Sequence, residues 1–163
     1  MKILIIGHGR HGKDTVAEFI NKHFNLSFKS SSMACAEIFI YDELKGAYSY
    51  KSFAECYHDR SNHRAEWHDM ISNYNKDDGA RLAKDMMVIN DMYVGMRSAR
   101  EIDACKEQGI FDLIIGVFDP DKPLEEKSSF NIDLWLYSDF IIPNASDLKS
   151  LEDRVILLKK LFL

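Results

Sequence analysis

The sequence predicts a three-layer α/β fold, a parallel core sheet with helices on both faces, and three observations carry that prediction. The runs Ile3–Ile6 and Leu113–Phe118 are apolar at almost every position, as strands buried on both faces are. Between such runs lie segments whose apolar residues recur at helical spacing. Strands alternate with helices along the chain, which implies right-handed crossovers and a sheet covered on each side.

Taken in order, Lys2 to Ile6 reads as a strand that Gly7 ends. A glycine-rich turn follows, and from Lys13 to about Phe24 the residues Val16, Phe19, Ile20, His23 and Phe24 form one face of a helix. Ser27 to Ser32 reads as a short second strand. Helical patterns run from Met33 to about Ala83, with breaks at Gly46 and over Asn73 to Gly79, where Asn, Asp and Gly favour turns. Met86 to Asn90 is expected to be the third strand, ending near Asp91, and Ser98 to Gln108 a helix closed by Gly109. After the Leu113–Phe118 strand, Asp119 to Ser129 is a polar loop and Phe140 to Ile142 a last strand stopped by Pro143 and Asn144. Ser146 is the expected N-cap of a closing helix with Leu148, Leu151, Val155, Leu158 and Phe162 on one side.

The length of 163 residues, 46% hydrophobic, suits one domain spanning 1–163. A net charge of −5 lacks the basic excess that holds a protein on a nucleic acid polymer or an anionic membrane. Three cysteines without CxxC spacing point to reduced thiols in a cytoplasmic setting. The first apolar run is far too short for a signal segment or a membrane span. His58, His63 and His68, beside Cys56, step by five residues; about 500° of helical rotation per step spreads them around the cylinder, so they do not converge on a metal.

The chemistry begins at Gly7-His8-Gly9-Arg10-His11-Gly12-Lys13-Asp14-Thr15, between the first strand and the first helix. Gly7, Gly9 and Gly12 satisfy the dinucleotide fingerprint GxGxxG, while Gly7, Gly12 and Lys13 satisfy GxxxxGK, the P-loop that cradles a nucleotide's β-phosphate. Lys13 favours the P-loop, because a dinucleotide helix gains little from a cation there. About twenty residues on, where a dinucleotide site needs an acid for the ribose, stand Lys29 and three serines. The hydroxyl that holds Mg²⁺ normally follows the lysine directly; here Asp14 does, with Thr15 next. Asp14 is a suitable hard-cation ligand, and its alternative role is to cap the helix, with Thr15 on the α-phosphate.

GHGRHGKDT resembles the P-loop of nucleoside monophosphate kinases, and its GKDT form looks most like that of phage deoxynucleoside monophosphate kinases. Val94-Gly95-Met96-Arg97-Ser98-Ala99-Arg100-Glu101 is similar to the GxRxxxE pattern with which such kinases and their dephospho-CoA kinase relatives open a helix. Asp139-Phe140-Ile141-Ile142-Pro143-Asn144 resembles the family's closing strand. The resemblance implies a three-layer P-loop nucleotide kinase fold, with a helical acceptor-binding segment over about 33–83 and a short lid over about 119–131. It implies phosphoryl transfer from ATP, with Mg²⁺, to a nucleoside monophosphate, a deoxynucleotide in the first instance. Gly7, Gly9, Arg10, His11, Gly12, Lys13, Asp14 and Thr15 would hold ATP and its metal, with Asn144 near the adenine and Lys13, Arg10 and Arg97 active in transfer.

An acceptor phosphate is already ionised near pH 7, so transfer needs positioning and cations rather than a general base. Arginines are therefore the residues to follow. Arg97 is the first candidate for the acceptor phosphate, with Arg100 in the same motif. Arg60 and Arg64, four apart on an expected helix, are candidates for the same phosphate, the alternative being a solvated face. Asp91, at the end of the expected third strand, is a candidate acid to orient Mg²⁺ or contact the acceptor, the alternative being a strand-terminal turn residue. Phe53, Tyr57, Trp67 and Tyr74 either stack on the acceptor base or belong to the core. His8 and His11 are expected to pack rather than exchange protons. The expected lid contains no arginine, only Lys122 and Lys127, and its charge run Asp121 to Lys127 reads as solvated surface. That departure keeps two alternatives open: a kinase of another metabolite such as dephospho-CoA, and a non-catalytic nucleotide-binding module. The expected partners are small nucleotides, with the chain a monomer or a homodimer.

Overall fold

The computed structural model describes residues 1–162, with side chains through residue 160. Five strands form one sheet: β1 (Ile3–Ile6), β2 (Phe28–Ser30), β3 (Met92–Val94), β4 (Leu113–Phe118) and β5 (Phe140–Pro143). Their order is β2-β3-β1-β4-β5 and every pairing is parallel. β1 is central, with Ile5 beside Val94 on one side and Ile115 on the other. All four of its residues are fully buried, which explains its unbroken apolar run.

Successive β1 side chains enter different cores. Ile3 and Ile5 pack with Val16, Ala17 and Ile20 of helix α1 (Lys13–Phe24) and with Leu151 and Val155 of helix α9 (Leu148–Leu157). Leu4 and Ile6 face the helices between β2 and β3. These are α2 (Ser31–Cys35), a π-helical stretch Ala36–Ile40, α3 (Tyr41–Ala47), α4 (Phe53–Asp59), α5 (Arg64–Tyr74) and α6 (Arg81–Met87). Helix α7 (Ala99–Glu107) follows β3, the short α8 (Leu134–Tyr137) precedes β5, and α10 (Lys159–Phe162) ends the described chain. Among the described residues no helix is long and apolar enough to cross a membrane. Cys35, Cys56 and Cys105 are free and buried.

Several sequence expectations are corrected. The third strand lies at Met92–Val94, while most of Met86 to Asn90 belongs to the end of α6 and the turn after it. Leu82, Ala83, Met86 and Met87 are buried on one face of α6, so an apolar stretch that suits a strand is the last turn of a helix. Val88 and Ile89 are exposed. Gly46 lies within α3, and the break comes after it, where Ser49 takes φ 56°. Asp147, not Ser146, caps α9 by accepting the Ser150 N–H at 2.8 Å. Leu151, Val155 and Leu158 are buried, Leu148 is exposed, and the side chain of Phe162 lies outside the described residues. Helix α8 has no counterpart in the sequence reading; Asp133 caps it by accepting from Trp135 and Leu136 N–H groups.

Candidate active site

Residues 7–12 join β1 to α1 at the carboxyl edge of the sheet, where ligands bind in open parallel sheets. The loop lies close against its neighbours because two positions lack a side chain. A Cβ on Gly7 would stand 2.5 Å from the Val117 carbonyl oxygen, and one on Gly12 would stand 2.6 Å from Asn144 Nδ2. Gly12 also takes φ 94° as the N-cap of α1. Asn144, just beyond β5, donates to the His11 carbonyl at 3.2 Å. Lys13 folds back to donate from Nζ to the His8 carbonyl at 2.7 Å. Burial, then the nearby Arg97, lowers the pKa of Lys13. In the first turn of α1, Asp14 is exposed and Thr15 half-buried.

The facing wall is the loop 119–131 after β4, and two histidines fasten it to the glycine loop. His8 Nδ1 accepts the Glu125 N–H and His11 Nδ1 accepts the Asp119 N–H, each at 3.0 Å. With Nδ1 accepting, His11 carries its proton on Nε2, which donates to the Pro123 carbonyl at 3.3 Å. Phe130 packs on His8 and Phe118 on His11, with ring centroids 4.3 and 5.7 Å apart. Burial, then His11, lowers the pKa of His8 and so favours its neutral, accepting form.

Glu125 joins three elements. Its Oε2 accepts the Gly9 N–H at 2.6 Å and its Oε1 accepts from Arg97 at 2.8 Å. Arg97, at the β3–α7 junction, also donates to the Ser129 carbonyl at 3.2 Å. Burial raises the pKa of Glu125, but Arg97 and the Gly9 N–H overcome that and hold it below the usual carboxylate range. A carboxylate thus accepts hydrogen bonds from the loop backbone and from Arg97 at once. Beyond Arg97 opens a cavity of about 360 Å³ between α5, the start of α7 and the loop 119–131. Arg97, Arg100, Glu101, His68, Ser72 and Phe130 are among its lining residues. A Gly-rich loop beside a cationic junction and a cavity is an arrangement able to hold two anionic groups side by side.

No protein-family model matches the chain, and no curated protein matches its sequence. Solved structures do match. A dephospho-CoA kinase from Campylobacter jejuni superposes with a TM-score of 0.55 at 14% identity, over 98% of this chain and 95% of that one. A shikimate kinase from Aquifex aeolicus gives 0.52 at 15% identity, over 98% and 96%. The fold is that of the P-loop kinases.

In this P-loop kinase fold the predicted residues separate into two sets. Gly7, Gly9, Arg10, His11, Gly12, Lys13, Asp14 and Thr15 form the loop and its helix turn, and Asn144 lies against them. Arg10 stands exposed at the tip with φ 65°. Arg97 reaches the loop through Glu125, and Arg100 lines the cavity while donating to the Lys76 carbonyl at 2.6 Å. The cap of α1 is Gly12, so Asp14 does not take that position.

Three residues lie apart. Asp91 precedes β3, at the opposite edge of the sheet from the loop, where its carboxylate accepts from the Ser27 N–H and hydroxyl, both at 2.9 Å. The misplaced strand accounts for that error. Arg60 and Arg64 do not share a helix: Arg60 opens a 3₁₀ turn, His63 breaks the chain's helical path, and Arg64 begins α5. Arg60 lies over the Tyr57 ring at 4.0 Å and donates to the Tyr57 carbonyl, while Arg64 is exposed. Phe53, Tyr57, Trp67 and Tyr74 pack into or against the core, so none of them lines the cavity beside Arg97.

Glu125 corrects the reading of its charge run as solvated surface. Nothing in the spacing pairs residue 125 with residue 9; the contact follows from the register of β4 beside β1. Asn131 was equally hidden, and its Oδ1 accepts the Ala99 N–H at 2.7 Å at the start of α7.

Proposed function

We propose that the protein is an ATP- and Mg²⁺-dependent kinase that phosphorylates a nucleoside monophosphate, a deoxynucleotide in the first instance. The observation that carries this reading is the carboxylate of Glu125 held jointly by the Gly9 N–H and Arg97. An anion already rests on the glycine loop and is bridged to the junction that borders the cavity. ATP phosphates would take the loop and Lys13, and the acceptor phosphate would take Arg97 at the mouth of the cavity. The resemblance of GKDT to the phage deoxynucleoside monophosphate kinases supports the choice of acceptor.

In the transfer, an ionised oxygen of the acceptor phosphate bonds to the γ-phosphorus. The bond from that phosphorus to the β–γ bridging oxygen breaks, and its electron pair leaves with ADP. Lys13 and Arg97 would neutralise the charge on the phosphoryl oxygens. Asp14, exposed, and Thr15 suit a hard cation, and Mg²⁺ would supply further charge neutralisation at the phosphates. Arg97 supplies the cation that the arginine-free lid lacks.

The test is acceptor-dependent ADP release from ATP and Mg²⁺ across ribo- and deoxynucleoside monophosphates, with shikimate and dephospho-CoA included. Lys13→Ala is expected to abolish release, and Arg97→Ala to raise KM for the acceptor. Stimulation by dephospho-CoA alone would change the acceptor and keep the kinase. Unchanged kinetics in both variants would overturn the assignment.

A further inference from the structure

Glu125 stands between the two halves of the candidate site. Its Oε2 accepts the Gly9 N–H at 2.6 Å and its Oε1 accepts from Arg97 at 2.8 Å, so a loop donor and a junction donor meet on one carboxylate. Gly9 makes the space for it: a Cβ there would stand 3.2 Å from the carboxyl carbon and from Oε1. The backbone is held as well, the Glu125 N–H donating to His8 Nδ1 at 3.0 Å. Burial pushes the carboxyl up, and the hydrogen bonds from Arg97 and Gly9, then the charges of Arg97 and Lys13, outweigh it. The carboxylate therefore has around it a loop N–H, an arginine and the loop lysine. Those are the donors and cations that a phosphoryl group needs when it passes between two anionic substrates.

We propose that Glu125 is an internal stand-in for the transferring phosphoryl group and couples the two substrate sites, so that ATP and the acceptor each bind more tightly when the other is present. This rests on the kinase reading above, in which the glycine loop holds ATP and Arg97 holds the acceptor phosphate. ATP alone needs the Gly9 contact opened, and the acceptor alone needs Arg97 released. Both contacts belong to one carboxylate, so a side-chain rotation that vacates Gly9 vacates Arg97 too. The first ligand makes the displacement and the second finds its donor free. Arg97 is exposed, and solvent keeps the contact weak. A contact engaged about four-fifths of the time weakens each ligand alone about fivefold, and the same factor appears as coupling when both bind. Removing a negative charge by itself would also tighten both ligands, but that gain leaves their coupling unchanged. The coupling is therefore what isolates the shared contact.

The experiment is calorimetric titration with the β,γ-imido analogue of ATP and Mg²⁺, without and with dAMP, dGMP, dCMP or dTMP, in the natural protein, Glu125→Ala and Glu125→Gln. The coupling factor is the ratio of the analogue's Kd without and with the monophosphate. It is expected to be about fivefold larger in the natural protein than in Glu125→Ala, and to be recovered when the monophosphate is titrated instead. Glu125→Gln, which keeps the shape and loses the charge, is expected to fall between them and serves alone if Glu125→Ala fails to fold. An equal factor in the natural protein and the variants overturns the coupling, whatever the transfer assay gives. If the analogue binds and no monophosphate does, the acceptor assignment fails instead. Inorganic phosphate then replaces the monophosphate and decides Glu125 by itself: a larger factor in the natural protein supports the coupling, and an equal factor or no phosphate binding overturns it. An analogue that does not bind overturns both readings.

Discussion

Glu125 rests its carboxylate on the backbone N–H of Gly9, 2.6 Å away, in the glycine loop that a nucleotide's phosphates would use. The same carboxylate takes a hydrogen bond from Arg97 at 2.8 Å. A phosphate bound there would displace a ligand that the chain itself supplies. Hydrogen bonds to charged groups contribute about 1.5–3 kcal/mol, less where the partner is exposed, as Arg97 is. Glu125→Ala is expected to tighten ATP binding about fivefold by calorimetry; weaker or equal binding would show that Glu125 does not compete with phosphate.

The fastening of the loop 119–131 is also expected to weaken in acid. His8 must be neutral for its Nδ1 to accept the Glu125 N–H, and burial followed by His11 lowers its pKa from 6.5. Between the lowered folded value and 6.5 the unfolded chain binds more protons, so stability rises with pH there. The His8 contribution is present above that range and lost as pH falls through it. Glu125, whose pKa is lowered from 4.5, adds a second loss in the same direction at lower pH. Between pH values of about 7.5 and 5, the melting temperature is expected to fall more in the natural protein than in His8→Ala. Parallel slopes would remove His8 from this role.

Gly12 combines a left-handed φ of 94° with an approach to Asn144 Nδ2 that leaves 2.6 Å for a Cβ. Gly12→Ala is expected to cost about 1–3 kcal/mol in denaturant unfolding, because backbone strain and the displaced amide act together. Adding Asn144→Ala should recover part of the loss by removing the close contact. No recovery would assign the whole cost to the backbone.

Much of this arrangement was legible in the sequence, for identifiable reasons. β4 is legible because its apolar run Leu113–Phe118 lies between Asp112 and the polar loop that begins at Asp119. The placement of the glycine loop between strand and helix was legible from its spacing, and the position of Arg97 from the strand-to-helix junction it marks. Asp91 failed with the boundary of β3, where the helix end Met86–Met87 imitates a strand. Arg60 and Arg64 do not share a helix face because the helical path breaks at His63, and no glycine or proline there signals the break. Glu125 and Asn131 make contacts between segments far apart in the chain, and local pattern carries no information about those.

Transfer of the phosphoryl group itself is the most direct test. ATP labelled at the γ-phosphorus, incubated with Mg²⁺, the protein and nucleoside monophosphates, is expected to place its label in a nucleoside diphosphate, and Lys13→Ala to place none. Label that remains in ATP, or appears only as inorganic phosphate while ATP binds, would contradict the kinase and identify a nucleotide-binding module.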